Sequence, residues 1–201
     1  KVIMASTSIP HLLILEPDAR GHSRDWIGHL IKGVLEIGAR PLRLSLAVPP
    51  PLAAEIDREI PPAAQDYIKT VTLTDRETAL CLSSRLAVSG MARWWTMRRC
   101  LARSGATHGL FLELDHLSLP LALGLGAGDR PLSGILFRPS VHYGEIGPYR
   151  PTLRERLRDL RKALLYRLMM RNRAVNAVLS LDPYFVVYAQ RHYGMPGKVA
   201  E

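Results

Sequence analysis

The sequence predicts one α/β domain of Rossmann-like type, in which a parallel sheet is covered by helices on both faces. Short apolar runs alternate with segments whose apolar residues recur at helical spacing, and this alternation is typical of such a sheet. Proline and glycine separate many of the segments. The chain has 201 residues, 47% of them hydrophobic and 22% charged. It is therefore long enough to bury a substantial core and too apolar for extensive disorder.

The individual elements follow from the hydrophobic pattern. The predicted strands are 11–16, 42–48, 69–73, 107–114, 132–137 and 174–181, with a further strand opening at Lys198. The predicted helices are 26–35, 52–59, 74–103, 117–125, 152–168 and 183–193. Two of them begin with a capping box, in which a Thr side chain and a Glu three residues later satisfy free backbone amides. These pairs are Thr74 with Glu77 and Thr152 with Glu155.

Parallel sheets of this kind bind ligands beyond the carboxyl ends of their strands. The loops to consider are therefore 17–23, 48–51, 115–116, 138–147 and 182–183. Three of these regions carry side chains whose chemistry suits substrate binding or catalysis.

The first region connects the first strand to the first helix and contains Arg20, Gly21, His22, Ser23 and Arg24. Backbone amides at a helix N-terminus can hold an anion or sugar hydroxyls. Gly21 allows close approach of the backbone, and His22 and Arg24 add donors. We predict that residues 21–24 bind substrate. The alternative is an ordinary polar turn in which Ser23 caps the helix.

The second region ends the fourth predicted strand and contains Glu113, Asp115 and His116. Strand alternation would place Glu113 and Asp115 on the same side. A carboxylate beside an imidazole suits general-base catalysis or hydroxyl recognition. We therefore predict Asp115 and His116 as catalytic residues. The alternative is that Asp115 caps the next helix and His116 faces solvent.

The third region follows the fifth predicted strand and gathers Arg138, His142, Tyr143 and Glu145 in a loop with glycine and proline. Function concentrates in loops of this composition at the ends of strands. We predict His142 as a catalytic residue and Arg138, Tyr143 and Glu145 as substrate-binding residues. A structural role for Arg138, paired with Asp115 or Glu145, is the alternative. Glycines 124, 126 and 128 are interpreted as a loop that ends a helix, because they do not follow the first strand.

Positive charge concentrates late in the chain. The formal net charge is +9, and nine basic but only two acidic residues lie between Arg150 and Arg173. The leucines of the predicted helix in this segment share one face, which we expect to contact the core. The arginine face is either solvated or binds anionic lipid.

Other classes of site lack a pattern in the sequence. No histidine pair has zinc-ligand spacing, and no nucleophile elbow surrounds a serine. Cys81 and Cys100 are expected to be free buried thiols in a reducing compartment. We expect no metal site and a cytoplasmic location, with peripheral attachment to the inner face of the membrane as a further option.

Three segments carry a resemblance to a known family. Leu114 to Leu123 is similar to a strand that ends in a polar Asp/His pair before a small helix. Leu132 to His142 is similar to the next strand with its loop histidine, and Ser180 to Val199 is similar to the segment that leads to an interdomain linker. Together the chain resembles the N-terminal domain of a GT-B fold glycosyltransferase of the retaining family 4 type. It departs from that pattern in having one glycine in the first loop, where many members have two.

The resemblance implies a transferase of polysaccharide biosynthesis that moves a sugar from a nucleotide-sugar donor to a glycan or lipid-linked acceptor. Residues 1–201 would form the acceptor-binding half, and a C-terminal half that binds the donor would be absent from this chain. The resemblance also implies that no metal or other cofactor is required. The chain starts with Lys1 and ends where the pattern predicts the opening of a strand, which agrees with the expectation of a fragment that is inactive alone.

Two other functions remain open at this stage. The net positive charge also fits a non-catalytic basic module that binds nucleic acid or an anionic membrane. The alternation of elements also fits a different nucleotide-dependent α/β enzyme. As a glycosyltransferase half, the chain is not expected to bind nucleic acid, and an anionic membrane surface is a candidate partner.

Overall fold

A seven-stranded sheet runs through the computed structural model, which describes residues 9–20, 22–37, 42–137, 139–145, 150–193 and 197–200. The strands are β1 His11–Leu15, β2 Arg43–Val48, β3 Ile68–Thr72, β4 His108–Phe111, β5 Leu132–Leu136, β6 Val175–Ser180 and β7 Val199–Ala200. Every neighbouring pair is parallel, in the order β3-β2-β1-β4-β5-β6-β7. The predicted parallel sheet is confirmed.

Helices connect the strands. They are α1 His22–Glu36, α2 Pro50–Glu59, α3 Asp75–Cys81, α4 Leu86–Ser104, α5 Ser118–Ala122, α6 Leu153–Arg171 and α7 Pro183–Tyr193. Short 3₁₀ turns lie at Pro62–Ala64, Leu114–Leu117 and Ser140–Glu145. Both predicted capping boxes are present, at the starts of α3 and α6.

The sheet separates two hydrophobic cores, and β1 contributes to both of them. Leu13 and Leu15 pack with Phe111 in one core, whereas Ile14 packs with Ile27 of α1 in the other. Successive side chains of a strand point to opposite faces. A strand buried on both faces is therefore apolar throughout, which explains the uninterrupted apolar run at the start of the sequence.

The strand order reverses between β1 and β4. From β1 the chain adds β2 and β3 on one side, and then returns to add β4 and the later strands on the other. The loops that follow β1 and β4 therefore diverge and leave a crevice at the carboxyl edge of the sheet. We call this gap the switch-point crevice.

The helix predicted over 74–103 is wrong, because the structure has two helices with a break at residues 82–85. At the end of α3, the carbonyl of Cys81 accepts hydrogen bonds from the Ser89 hydroxyl and the Arg93 guanidinium of α4. Side chains of α4 thus satisfy this carbonyl, which in a continuous helix would accept a backbone hydrogen bond.

The strand predicted over 107–114 is also too long, because β4 ends at Phe111 and a 3₁₀ turn begins at Leu114. Leu114 lies over β5 so closely that a Cβ at Gly134 would be 2.8 Å from its side chain. The alternation argument for Glu113 and Asp115 therefore does not apply, since neither residue is on a strand.

The leucine face of α6 does not contact the core. The expectation that these leucines would be buried is therefore wrong. Its members are 39–79% exposed, and they are Leu153, Leu157, Leu160, Leu164 and Leu168. The buried residues of this helix are instead Tyr166, Met169 and Met170. The helix has two apolar faces, so periodicity alone could not show which of them is buried.

Gly90 on α4 allows the 3₁₀ turn at Leu114–Leu117 to pack closely. A Cβ at this position would lie 2.5 Å from the backbone oxygen of His116. We expect Gly90→Ala to lower the free energy of unfolding by about 1–3 kcal/mol, because backbone atoms cannot yield as a flexible side chain would.

Urea denaturation measures this effect, with Gly28→Ala in α1 as the matched control. A Cβ at Gly28 meets nothing within 4 Å, so that variant should be unchanged or more stable by up to about 1 kcal/mol. Equal stabilities for the two variants would show that the close contact is not a constraint.

Candidate active site

A cavity of about 600 Å³ lies just beyond the carboxyl end of β4, between α4, α5 and α6. One part of its wall is apolar and is formed by Leu86, Ala87, Leu119 and Leu165. The other part is polar and includes Asp115, His116, Ser118, Arg161, Lys162 and Tyr166. The cavity can therefore hold a ligand that combines an apolar part with hydroxyl or anionic groups.

Asp115 is held in the cavity wall by a buried tyrosine. The hydroxyl of Tyr166 on α6 donates a hydrogen bond to Oδ1 of Asp115. Burial and the negative charge of Asp115 raise the pKa of Tyr166 far above its ordinary value. The tyrosine therefore stays protonated and remains a donor, which fixes the position of the carboxylate.

His116 has an acidic partner on one side of its ring. Its Nε2 lies 3.2 Å from Oε2 of Glu113, and this contact lowers the pKa of the Glu113 carboxyl. Within the described part of the chain, its Nδ1 is buried without a hydrogen-bond partner. An imidazole whose Nε2–H points to a carboxylate has its lone pair on Nδ1, and the burial of this nitrogen keeps it from a ligand in the cavity.

The switch-point crevice holds charged residues that were not predicted as site residues. Glu16 directly follows β1 and is 1% exposed, and its Oε1 accepts a hydrogen bond of 2.8 Å from the backbone amide of Asp18. Burial raises the pKa of Glu16 to about 7. Glu16 could have been recognised from the sequence, because it is a glutamate at the end of an otherwise apolar strand.

Arg93 connects the crevice to the cavity. This residue of α4 is 5% exposed, and its guanidinium lies 3.9 Å from Oε2 of Glu113. The same Glu113 oxygen contacts His116. Glu113 therefore links Arg93 to His116 in the cavity wall. Arg93 was not predicted as a residue of this site.

The first predicted loop contributes less to the described site. Gly21 and the side chains of His22 and Ser23 lie outside the described residues. Arg24 lies on α1, where its Nη2 is 2.6 Å from Glu55 and 3.5 Å from Glu59 of α2. It lines a different recess, of about 400 Å³.

The third predicted loop packs against α7. Arg138 lies outside the described residues. His142 is 1% exposed, and its Nε2 lies 3.0 Å from Oδ2 of Asp182. Tyr143 packs edge-on against its ring, and Glu145 lies 3.3 Å from the His192 ring.

Of the predicted residues, the structure thus brings only Asp115 and His116 together in the described cavity lining. His142, Tyr143 and Glu145 are not among the residues that line it. Their roles in catalysis or binding stay predictions, and those of Asp115 and His116 do as well.

The two cysteines are free and buried, as predicted. Burial raises the pKa of both thiols, that of Cys100 to about 11. In the described part of the chain, no group of three or more His, Cys, Asp or Glu residues could hold a metal ion.

Comparison with known proteins bears on the fold. No protein-family model and no curated protein matches the sequence. Among solved structures, UGT89C1 from Arabidopsis thaliana is 14% identical with a TM-score of 0.52, over 96% of this chain and 49% of its own. The fold matches one half of a GT-B fold.

Two further solved structures show the same coverage. UGT89C1 complexed with UDP is 16% identical with a TM-score of 0.52, over 94% of this chain and 50% of its own. A UDP-glucosyltransferase from Polygonum tinctorium that glucosylates indoxyl is 14% identical with a TM-score of 0.49, over 97% of this chain and 52% of its own. The chain therefore spans about half the length of these proteins.

Glu16 generates a prediction about pH. Its folded pKa of about 7 lies above the ordinary value of 4.5, so the native state binds the proton more tightly than the unfolded state. The contribution of Glu16 to the free energy of unfolding should therefore fall as pH rises from about 4.5 to 7, by on the order of 3 kcal/mol, and then level off.

Glu16→Gln keeps the oxygen that accepts from Asp18 and removes the titration. It should match the wild type in urea denaturation at pH 4.5 and exceed it in stability at pH 8.5. Glu36→Gln on the exposed part of α1 is the control and should show no such divergence. A constant difference between Glu16→Gln and the wild type at both pH values would refute the prediction.

Proposed function

We propose that the chain is the acceptor-binding half of a glycosyltransferase, which moves a sugar from a nucleotide-sugar donor to a glycan or lipid-linked acceptor. The observation that carries the proposal is the cavity at the carboxyl edge of the sheet, where Tyr166 orients Asp115 beside His116. The half GT-B fold supports it, since such a half provides one wall of an active site that a second domain completes.

In this proposal the described residues act on the acceptor. Asp115 accepts a hydrogen bond from the acceptor hydroxyl and, as a general base, takes up its proton as the sugar is transferred, with His116 beside it as a second catalytic residue. Glu113 holds the ring of His116 in place through Nε2. His142 stays a second catalytic candidate, and contact with a substrate would require the turn Ser140–Glu145 to move.

The donor is assigned to the half that this chain does not contain. The residues predicted to contact it or the acceptor from this side are Gly21, His22, Ser23, Arg24, Arg138, Tyr143 and Glu145. The proposal includes no metal and no other cofactor, as the resemblance to the retaining family 4 type implies. The location in this proposal is cytoplasmic, at the inner face of the membrane.

The lining of the cavity favours a lipid-linked acceptor over a free glycan. Leu86, Leu119 and Leu165 offer apolar contact, and Arg161 and Lys162 offer positive charge to an anionic group. An acceptor with a phosphate between a lipid and a hydroxyl-bearing part would use both halves of this wall.

A second candidate function is supported by one surface feature. Trp95 is 48% exposed, with the Arg99 guanidinium 4.6 Å from its ring centroid. An exposed aromatic ring with a basic partner can stack on a nucleic acid base. A basic module of this kind would bind nucleic acid without turning over a nucleotide sugar, so the two functions are separated by one assay.

That assay uses the whole protein, a panel of nucleotide sugars, and either polyprenyl phosphate or a soluble oligosaccharide as acceptor. Release of nucleoside diphosphate that depends on acceptor is the expected result. Asp115→Asn should lower kcat/KM by roughly 100-fold or more. Asp129→Asn, in an exposed loop, is the matched control and should retain activity.

Tyr166→Phe tests the positioning of Asp115. It should lower kcat by roughly 10-fold, because the carboxylate loses its orientation, while KM changes little. A loss of activity that only follows a loss of thermal stability would argue for a purely structural tyrosine.

The isolated 201-residue chain should not transfer sugar in the same assay. Catalysis requires groups on both reacting partners to be held in place, and in this proposal the donor is held by a second domain. Efficient transfer by the chain alone would contradict the assignment of the donor to another domain.

A further inference from the structure

The face of α6 that points away from the body is both apolar and basic. We define the leucine stripe as the five exposed leucines Leu153, Leu157, Leu160, Leu164 and Leu168, which are 39–79% exposed. At about 100° of rotation per residue, these positions fall on one side of the helix. Tyr166, Met169 and Met170, which fix the helix to the core, fall on the opposite side.

Arginines border the leucine stripe on both sides. The helical positions place Arg156 and Arg167 along one border and Arg154 and Arg161 along the other. All four are exposed. Their long aliphatic stems can lie beside the leucines while the guanidinium groups reach outward.

The two carboxylates of α6 lie on the side nearer the body. Glu155 accepts the capping hydrogen bonds of Thr152, and Asp159 accepts one of 3.3 Å from Ser140 in the neighbouring turn. The outward face of α6 therefore presents apolar and positive groups together, without an acidic residue between them.

Charge argues against a second copy of this chain as the occupant. Four of the leucines, at 153, 157, 160 and 164, have the spacing of coiled-coil core positions, and the flanking positions would hold Arg154, Arg156 and Arg161. Pairing two such helices would bring arginine against arginine. An anionic surface, by contrast, complements the same pattern. No described helix is long and apolar enough to cross a membrane.

We propose that α6 lies in the plane of an anionic bilayer surface, with the leucine stripe inserted at the level of the upper acyl chains and the bordering arginines at the lipid phosphates. Helices that combine an apolar stripe with flanking Lys or Arg bind membranes in this way. The docking does not depend on glycosyl transfer. Arg161 both borders the stripe and lines the cavity, so the surface that docks adjoins the proposed acceptor site.

Co-sedimentation with vesicles tests this docking. Vesicles of phosphatidylglycerol and phosphatidylcholine should sediment the protein, and vesicles of phosphatidylcholine alone should not. Replacing Arg154, Arg156 and Arg167 together by Gln should weaken binding on the order of 100-fold. Replacing Leu157, Leu160 and Leu164 together by Gln should weaken it roughly 10-fold or more, and the binding that remains should be lost at high salt.

Matched controls carry the same changes elsewhere on the surface. Lys32, Arg43 and Arg58 replaced together by Gln match the charge loss, and Leu82, Leu123 and Leu181 replaced together by Gln match the loss of exposed leucine. Both controls should bind as the wild type does. Thermal unfolding of every variant confirms that it is folded.

Several outcomes would overturn the proposal. Equal binding to neutral and anionic vesicles would rule out the role of the arginines, and an unchanged affinity of the leucine variant would rule out the inserted stripe. A dimer in light scattering that the leucine variant abolishes would assign the stripe to a second copy. Binding by the 201-residue chain but not by the whole protein would mean that another domain covers it, and duplex DNA binding without vesicle binding would assign the arginines to nucleic acid.

Discussion

The close contact between α4 and the turn that follows β4 is the constraint on which the candidate site depends. It is possible because Gly90 has no side chain where α4 meets the backbone of His116. One turn further along, Arg93 reaches both the end of α3 and Glu113. Helix α4 thus holds the turn at Leu114–Leu117 in place, pairs with Glu113 and fixes the break between α3 and α4.

The sequence was informative wherever a local pattern determines the structure. Apolar runs located the strands, and the two capping boxes located the starts of α3 and α6 because their hydrogen bonds are local. It failed where a distant contact decides the outcome. The end of β4 depends on how Leu114 lies over Gly134, and the burial of α6 depends on which of two apolar faces meets the core.

The same distinction applies to the candidate site. Asp115 and His116 could be predicted because both are polar groups at the end of an apolar strand, although the strand is shorter than expected. Tyr166 could not, because it lies 51 residues away in sequence and meets Asp115 only through the packing of α6. His142 has the same chemistry as His116, and its burial against α7 is visible only in three dimensions.

The exposed leucines and arginines of α6 affect the solubility of the protein. A row of exposed leucines would ordinarily make a protein adhere to itself, and the contact between copies would grow with concentration. Here each row is bordered by arginines, which repel the arginines of any approaching copy and act as gatekeepers against aggregation. High salt should weaken the repulsion between arginines. The protein should therefore lose solubility at salt concentrations at which most proteins with mixed surface charge stay dissolved.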